Sequence, residues 1–296
     1  MAKKRKRLKW GRLTTVVLLA GCVAACSERA DFDPPPSSDD EVFCITPDCL
    51  RDEAERLLAR AEEADSHEYY DSLRSEAAFQ FMQAGDNERA LSLADETNVE
   101  DRSPGLQDAW KSLRANLALR MGDAALAEQL FAELEAGLLP RDYSDGIGAP
   151  RISRVLIIER LEQTDNQHGE PSFKLGYWID AAFGRLQARD EQGECSGQRA
   201  LAEDLEVAIS YHIEELHDIL HWGPPTFAYG TPRQADRLWS GRLAEAYAMR
   251  ASVRDRLRLG EFASLDRQRL DIVQQSVPGI LPPQIDVEPL ACFAEN

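Results

Sequence analysis

One predicted helix collects side chains that could bind a metal ion. His217 and His221 lie four residues apart within residues 211–221, a stretch that holds three of the five histidines of the chain. Residues four apart project from the same face of an α-helix, and Glu214 lies near that face too. Two histidines in this arrangement are typical ligands of a divalent metal such as zinc.

Residues 217–221 resemble the His-Glu-x-x-His motif of the zinc peptidases called zincins, with Asp218 in place of the glutamate. Aspartate is one methylene shorter, and the general base must reach a metal-bound water. Glu245, 24 residues after His221, is a compatible third ligand. The resemblance implies a metal-dependent hydrolase as an alternative function. The simpler interpretation is a helix C-terminus whose histidines interact favourably with the helix dipole.

A second candidate site is the aromatic loop of residues 222–232. It contains Trp222, Phe227 and Tyr229 among three prolines and two glycines. Exposed aromatic residues on a rigid loop often dominate a protein interface, so these three are candidate partner-binding residues. The alternative is that their rings fill a gap between helices.

The motifs of several other enzyme classes are missing from the sequence. It contains no Gly-x-Ser-x-Gly elbow, no phosphate-binding P-loop and no dinucleotide fingerprint. We therefore assign no catalytic residue and expect no cofactor.

The first residues have the pattern of an export signal. Residues 1–12 are basic, residues 13–21 are apolar or small, and this apolar stretch is too short to span a bilayer. Leu19-Ala20-Gly21-Cys22 resembles the lipobox of bacterial lipoproteins, and residues 23–26, ending in Cys26, are a looser match. An ordinary cleaved signal, or a buried helix with incidental cysteines, are the alternatives.

The lipobox resemblance implies export and a lipid anchor on Cys22, with Cys26 as the alternative. Neither cysteine is followed by aspartate, since Val23 and Ser27 come next. By analogy with sorting in Gram-negative bacteria, this predicts the outer membrane, facing the periplasm. Residues 22–46 are acidic and rich in proline, as expected of a disordered tether after the signal peptide of residues 1–21.

The charge of the chain is strongly negative, with a net value of −18. Without the seven basic residues of the leader, 27 basic residues face 52 acidic ones, a net charge of −25. Such a body repels nucleic-acid phosphates and anionic lipid surfaces. The acidity favours either a basic partner or simply high solubility.

Four cysteines remain after the lipobox: Cys44, Cys49, Cys195 and Cys292. In an oxidising compartment they are expected to form structural disulfides, and four cysteines allow three pairings. The short Cys44–Cys49 spacing favours local closure, which would leave Cys195 to pair with Cys292.

The body, residues 47–277, has the apolar periodicity of helices almost throughout. Ten helices are predicted, over residues 48–64, 67–84, 87–96, 103–121, 123–136, 151–163, 171–190, 198–221, 233–258 and 262–276. Asp48 is the expected cap of the first and Asp86 of the third. The proline-rich tail, residues 278–296, is expected to be extended. The fold class is therefore all-α, built from antiparallel helical hairpins.

A short motif recurs between the helices. Gly85-Asp86, followed by Ala90, returns 37 residues later as Gly122-Asp123, followed by Ala127. A looser third copy begins at Gly260. The motif resembles the turn of tetratricopeptide repeats, which implies a stacked α-solenoid that binds peptides or protein segments without doing chemistry. A divergent helical bundle is the alternative fold.

These observations predict a lipid-anchored protein-binding scaffold or adaptor of the bacterial cell envelope. Its partner would be an envelope protein or peptide segment, it would contact the membrane only through the lipid, and it would not bind nucleic acid. A metal-dependent hydrolase using His217 and His221 is the alternative function. A purely structural envelope protein with no dedicated ligand is a third possibility.

Overall fold

The computed structural model describes residues 46–97, 101–138, 173–222, 232–277 and residue 280. Within these ranges the chain forms nine α-helices and no strand, which confirms the all-α prediction. They are α1 (Pro47–Glu62), α2 (His67–Gln83), α3 (Asn87–Glu96), α4 (Pro104–Arg120), α5 (Ala124–Leu138), α6 (Phe173–Glu191), α7 (Gln198–Trp222), α8 (Pro232–Arg256) and α9 (Gly260–Ser276). The predicted leader, the tether before Thr46, the predicted helix 151–163 and all of the tail but Ile280 lie outside the described residues. None of the described helices is long and apolar enough to cross a membrane.

Side-chain caps fix where several helices begin. Asp86 accepts a hydrogen bond from the backbone N–H of Arg89, at 3.4 Å, as predicted for the start of α3. The prediction that Asp48 caps α1 is wrong, because Thr46 Oγ1 accepts from the backbone N–H of Cys49 at 3.4 Å. Pro47 then fills the first helical position, where a missing N–H costs nothing.

Four turns in the structure share one backbone conformation. In each turn, the second residue after the end of the preceding helix has a positive φ: Gly85 (80°), Gly122 (83°), Gly193 (69°) and Arg258 (61°). In each turn the next backbone N–H donates to the carbonyl five residues earlier, at 2.8–3.0 Å. This hydrogen bond and the left-handed residue define a Schellman turn, so α2–α3, α4–α5, α6–α7 and α8–α9 are four equivalent pairs.

The third copy of the motif has a different register from the one predicted. The left-handed residue of the α8–α9 turn is Arg258, two residues before Gly260. The turn at Gly193 is a fourth copy that the sequence pattern did not reveal.

Burial follows the same register. The residue five positions after the left-handed one is buried in every pair, and so is the residue seven positions before it. The first set is Ala90, Ala127, Gln198 and Ala263, and the second is Ala78, Ala115, Leu186 and Ala251. The repeat is therefore present in the packing as well as in the turns.

The helices pack in chain order. Each of them contacts the next one within the described ranges, and the first helices of successive pairs, α2 with α4 and α4 with α6, also touch. Three apolar clusters follow each other along the chain. The first joins α1–α4 around Phe81 and Trp110. The second joins α4–α6 around Phe131. The third joins α6–α9 around Ile209 and Leu216.

Candidate functional site

The structure gives His217 a partner on the neighbouring helix. Its Nε2 lies 2.7 Å from the hydroxyl oxygen of Tyr247 on α8, and the two rings meet edge to face. Tyr247 is buried, so this hydrogen bond joins α7 to the core side of α8. His221 lies one turn further along α7 and is exposed.

Glu245 takes part in a different set of contacts from the one predicted. Its Oε2 lies 3.4 Å from Nη1 of Arg242, one turn earlier on α8. Across the described ranges, no three His, Cys, Asp or Glu side chains are grouped closely enough to hold a metal ion. The geometry of His217, His221 and Glu245 therefore gives no support to the metal-dependent hydrolase.

The other predicted site residues lie wholly or partly beyond the described part of the chain. Trp222 is the last residue of α7, but its side chain is not described, and neither are Phe227 and Tyr229. Their role in partner binding stays a prediction.

Two of the cysteines are described. Cys49, in the first turn of α1, and Cys195, between α6 and α7, are each disulfide-bonded. Their predicted partners, Cys44 and Cys292, lie outside the described residues, so the pairing stays a prediction.

The register of the four turns shows a site that the sequence analysis missed. Tyr177 on α6 and Arg242 on α8 both lie sixteen residues before the left-handed residue of their pair. Asp180 and Glu245 both lie thirteen residues before it. We call these four residues, Tyr177, Asp180, Arg242 and Glu245, the α6–α8 face.

A guanidinium group lies between two carboxylates in the α6–α8 face. Nη1 of Arg242 is 3.5 Å from Oδ2 of Asp180 and 3.4 Å from Oε2 of Glu245. These three side chains are 40–46% exposed, and Tyr177 beside them is 55% exposed. The contacts are long for charge-assisted hydrogen bonds, whose usual length is about 2.7–2.9 Å.

A second arginine of α8 shows how a close ion pair looks in the same protein. Arg250 contacts both carboxylate oxygens of Asp266 on α9, at 2.7 and 3.0 Å. The two side chains are 7% and 0% exposed. The α6–α8 face is therefore loose and accessible, whereas the Arg250–Asp266 pair is tight and buried.

Both carboxylates of the α6–α8 face are harder to ionise than usual. Desolvation by the surrounding protein raises the pKa of Asp180, although Arg242 and His212 act in the opposite direction. Desolvation likewise raises the pKa of Glu245, to which the nearby Asp180 charge adds, while Arg242 opposes it. Although both side chains are partly exposed, their ionised forms are less favourable than those of free carboxyl groups. Such raised pKa values are common in binding and catalytic sites.

Helix α7 contributes an imidazole next to this face. The His212 ring packs against Gly176 on α6, where an added Cβ would lie 3.6 Å from Cε1 and Nε2. Its Nδ1 lies 3.4 Å from Oε2 of Glu215. Because two carboxylates face a single guanidinium and an exposed aromatic ring lies beside them, this region suits a cationic group.

No protein-family model matches this chain, and no curated protein or solved structure matches it either. Its function is therefore inferred from its own residues and their geometry.

Proposed function

We propose that this chain is a non-catalytic protein-binding scaffold of the bacterial cell envelope, anchored by lipid on Cys22 at the periplasmic side of the outer membrane. The lipobox and the acidic tether support the location. The repeated helix pairs support binding rather than catalysis. The observation that carries the proposal is that one equivalent position is exposed on three of the four first helices and bears a contact-forming side chain there.

Because the pairs are stacked in chain order, we expect the equivalent positions to follow one surface of the body. The position sixteen residues before the left-handed residue is Tyr69 in the first pair, Tyr177 in the third and Arg242 in the fourth. All three are exposed, and Leu106 of the second pair is half-buried. Tyrosine and arginine are enriched among the residues that dominate binding energy at interfaces. Stacked helix pairs commonly present such a surface to a protein segment.

The binding function is tested by site-specific crosslinking in cells. A photo-crosslinking amino acid replaces Tyr177 in one strain and Ile272, an exposed residue of α9, in another. We expect one abundant envelope protein to be crosslinked from position 177 and not from position 272, as identified by mass spectrometry. Failure to capture any envelope protein from position 177 would contradict the scaffold function.

The anchor is tested by metabolic labelling with an alkyne fatty acid. We expect the wild type and the Cys26→Ser variant to incorporate the label and the Cys22→Ser variant to lose it. Loss in Cys26→Ser alone would move the anchor to Cys26. An unlabelled wild type would show that the lipobox prediction is wrong.

A further inference from the structure

We propose that the α6–α8 face binds a basic segment of the partner, with a lysine or arginine side chain held by Asp180 and Glu245 beside Arg242 and against the ring of Tyr177. This inference rests on the proposed scaffold function, because it names the chemistry of the scaffold's partner.

The first argument is that Arg242 leaves both carboxylates incompletely neutralised. It divides its charge between Asp180 and Glu245 at 3.5 and 3.4 Å. The buried Arg256–Asp190 pair, at 2.7 Å, shows by contrast an arginine placed directly on its carboxylate. A second cation on the α6–α8 face would complete the charge balance that Arg242 begins.

The second argument is the charge of the face itself. Two carboxylates and one guanidinium give it a net negative charge, and the whole chain carries −18. A carboxylate or phosphate ligand would have to compete for an arginine that two acids already share. A basic segment is instead attracted, both at close range and during approach.

The third argument comes from the equivalent position in the first helix pair. There the chain supplies its own guanidinium, because Nη2 of Arg60 donates to the hydroxyl of Tyr69 at 3.0 Å. Tyr177 instead interacts electrostatically with Arg242, whose guanidinium group is already shared by two carboxylates. The ring of Tyr177 is 55% exposed, so a partner's cation can approach its face.

The inference is tested with synthetic peptides and the full chain purified in a non-ionic detergent. The probe is a fluorescein-labelled peptide of alternating lysine and glycine, and binding is followed by anisotropy at physiological ionic strength. The same peptide with acetylated lysines and a glutamate–glycine peptide are the ligand controls. We expect binding of the lysine peptide alone.

The matched variants separate this face from the general acidity of the chain. Asp180→Asn/Glu245→Gln removes the two carboxylates, and Asp65→Asn/Glu62→Gln removes two exposed acids at the other end of the body. We expect the first pair to weaken binding at least about tenfold and the second less than about twofold. Equal weakening by both pairs, or equal binding of the glutamate peptide, would overturn the inference.

A tyrosine variant gives an independent measure if the charge variant folds poorly. Tyr177→Leu alters only an exposed side chain, and we expect it to weaken lysine-peptide binding about three- to fivefold. Tyr69→Leu is its control and should leave binding unchanged. An unchanged Kd for Tyr177→Leu would show that the Tyr177 ring does not contact the cationic side chain of the partner.

Crosslinking in cells distinguishes this inference from the scaffold function. If position 177 captures the same envelope protein in the wild type and in the Asp180→Asn/Glu245→Gln variant, the scaffold function stands and the basic-segment inference fails. If the wild type captures none, the scaffold function itself fails.

Discussion

Arg258 holds the same left-handed backbone conformation between α8 and α9 that Gly85 holds between α2 and α3. Their φ values are 61° and 80°. The backbone N–H that follows each residue donates to the carbonyl five positions earlier, at 2.8 Å in both turns. An L-residue with a Cβ is less stable in this conformation than glycine, by about 1–2 kcal/mol.

Replacing Arg258 by glycine should therefore stabilise the protein. The greater entropy of glycine in the unfolded chain offsets part of this gain. We therefore expect Arg258→Gly to raise the free energy of unfolding by about 0.5–1 kcal/mol. Chemical denaturation measures this free energy of unfolding. Arg258→Ala removes the same side-chain contacts but keeps the Cβ, so the glycine variant should be the more stable of the two. If Arg258→Gly is no more stable than Arg258→Ala, the left-handed backbone at position 258 is not strained.

Gly184 on α6 should tolerate no side chain. A Cβ there would lie 2.6 Å from Cε1 and Cε2 of Phe131 on α5, a residue that is fully buried. We expect Gly184→Ala to lower the free energy of unfolding by about 1–3 kcal/mol through overpacking. Denaturant titration should show part of that loss restored in Gly184→Ala/Phe131→Leu.

The control for this prediction is Gly241 in the middle of α8. An added Cβ there meets no atom within 4 Å. Because alanine favours a helix interior, Gly241→Ala should stabilise the protein by up to about 1 kcal/mol. Losses of similar size at positions 184 and 241 would argue against a specific clash with Phe131.

Asp266 should be essential to the packing of α9 on α8. Its fully buried carboxylate contacts Arg250 at 2.7 Å and Arg254 at 2.8 Å. Asp266→Asn removes the negative charge that faces the buried Arg250, whereas Arg254 keeps Glu206 at 2.8 Å, so we expect a loss of about 3–5 kcal/mol in the free energy of unfolding. Asp271→Asn, at an exposed position of the same helix, should change it by less than about 0.5 kcal/mol. Two equally small effects would show that the buried charge is dispensable.

The pH dependence of stability should report the carboxylate of Asp180. Its raised pKa means that the folded state binds this proton more tightly than the unfolded state. Its contribution therefore favours folding at low pH and is lost as the pH rises from about 4, the ordinary pKa of the carboxyl, through the raised value. The Asp180→Asn variant has no carboxyl group at this position, so it does not lose this stability as the pH rises. Its Tm minus the Tm of the wild type should therefore increase between pH 4 and pH 7.

Several charged or titratable groups face Asp180 and must be controlled in that experiment. They are Arg242 and Glu245 on α8 and His212 on α7, and Arg242 in turn interacts with Tyr177. Repeating the thermal unfolding series in a His212→Gln background removes the imidazole charge. A Tm difference that stays constant or falls with rising pH in both backgrounds would contradict the raised pKa.

The local structure of the helices was largely predictable from the sequence. Gly85-Asp86 and Gly122-Asp123 identify two turns because glycine tolerates a left-handed backbone and aspartate caps the following helix. Arg258 gave no such signal, since an arginine is normally not left-handed. Gly193 lies between two predicted helices, but it is followed by Glu194 rather than aspartate, so the Gly-Asp pattern does not reveal its turn.

The candidate site was much less predictable, because it depends on the register between helices. Glu245 was chosen as a metal ligand from its distance along the chain to His221. Its partner in the structure is Arg242, which in turn reaches Asp180 across 62 residues of sequence. Once the left-handed residue of each pair is known, counting back sixteen and thirteen positions finds all four residues of the α6–α8 face.

The order of the three apolar clusters determines how the body would respond to a mechanical load. The first cluster includes α1, the helix that follows the predicted tether, and the third includes α8, which bears Arg242. Because the helices pack in chain order, a pull on the residues before α1 strains the first cluster before the others. Under such a pull the end that contains α1 would yield first, and the end that bears Tyr177 and Arg242 would keep its structure longest.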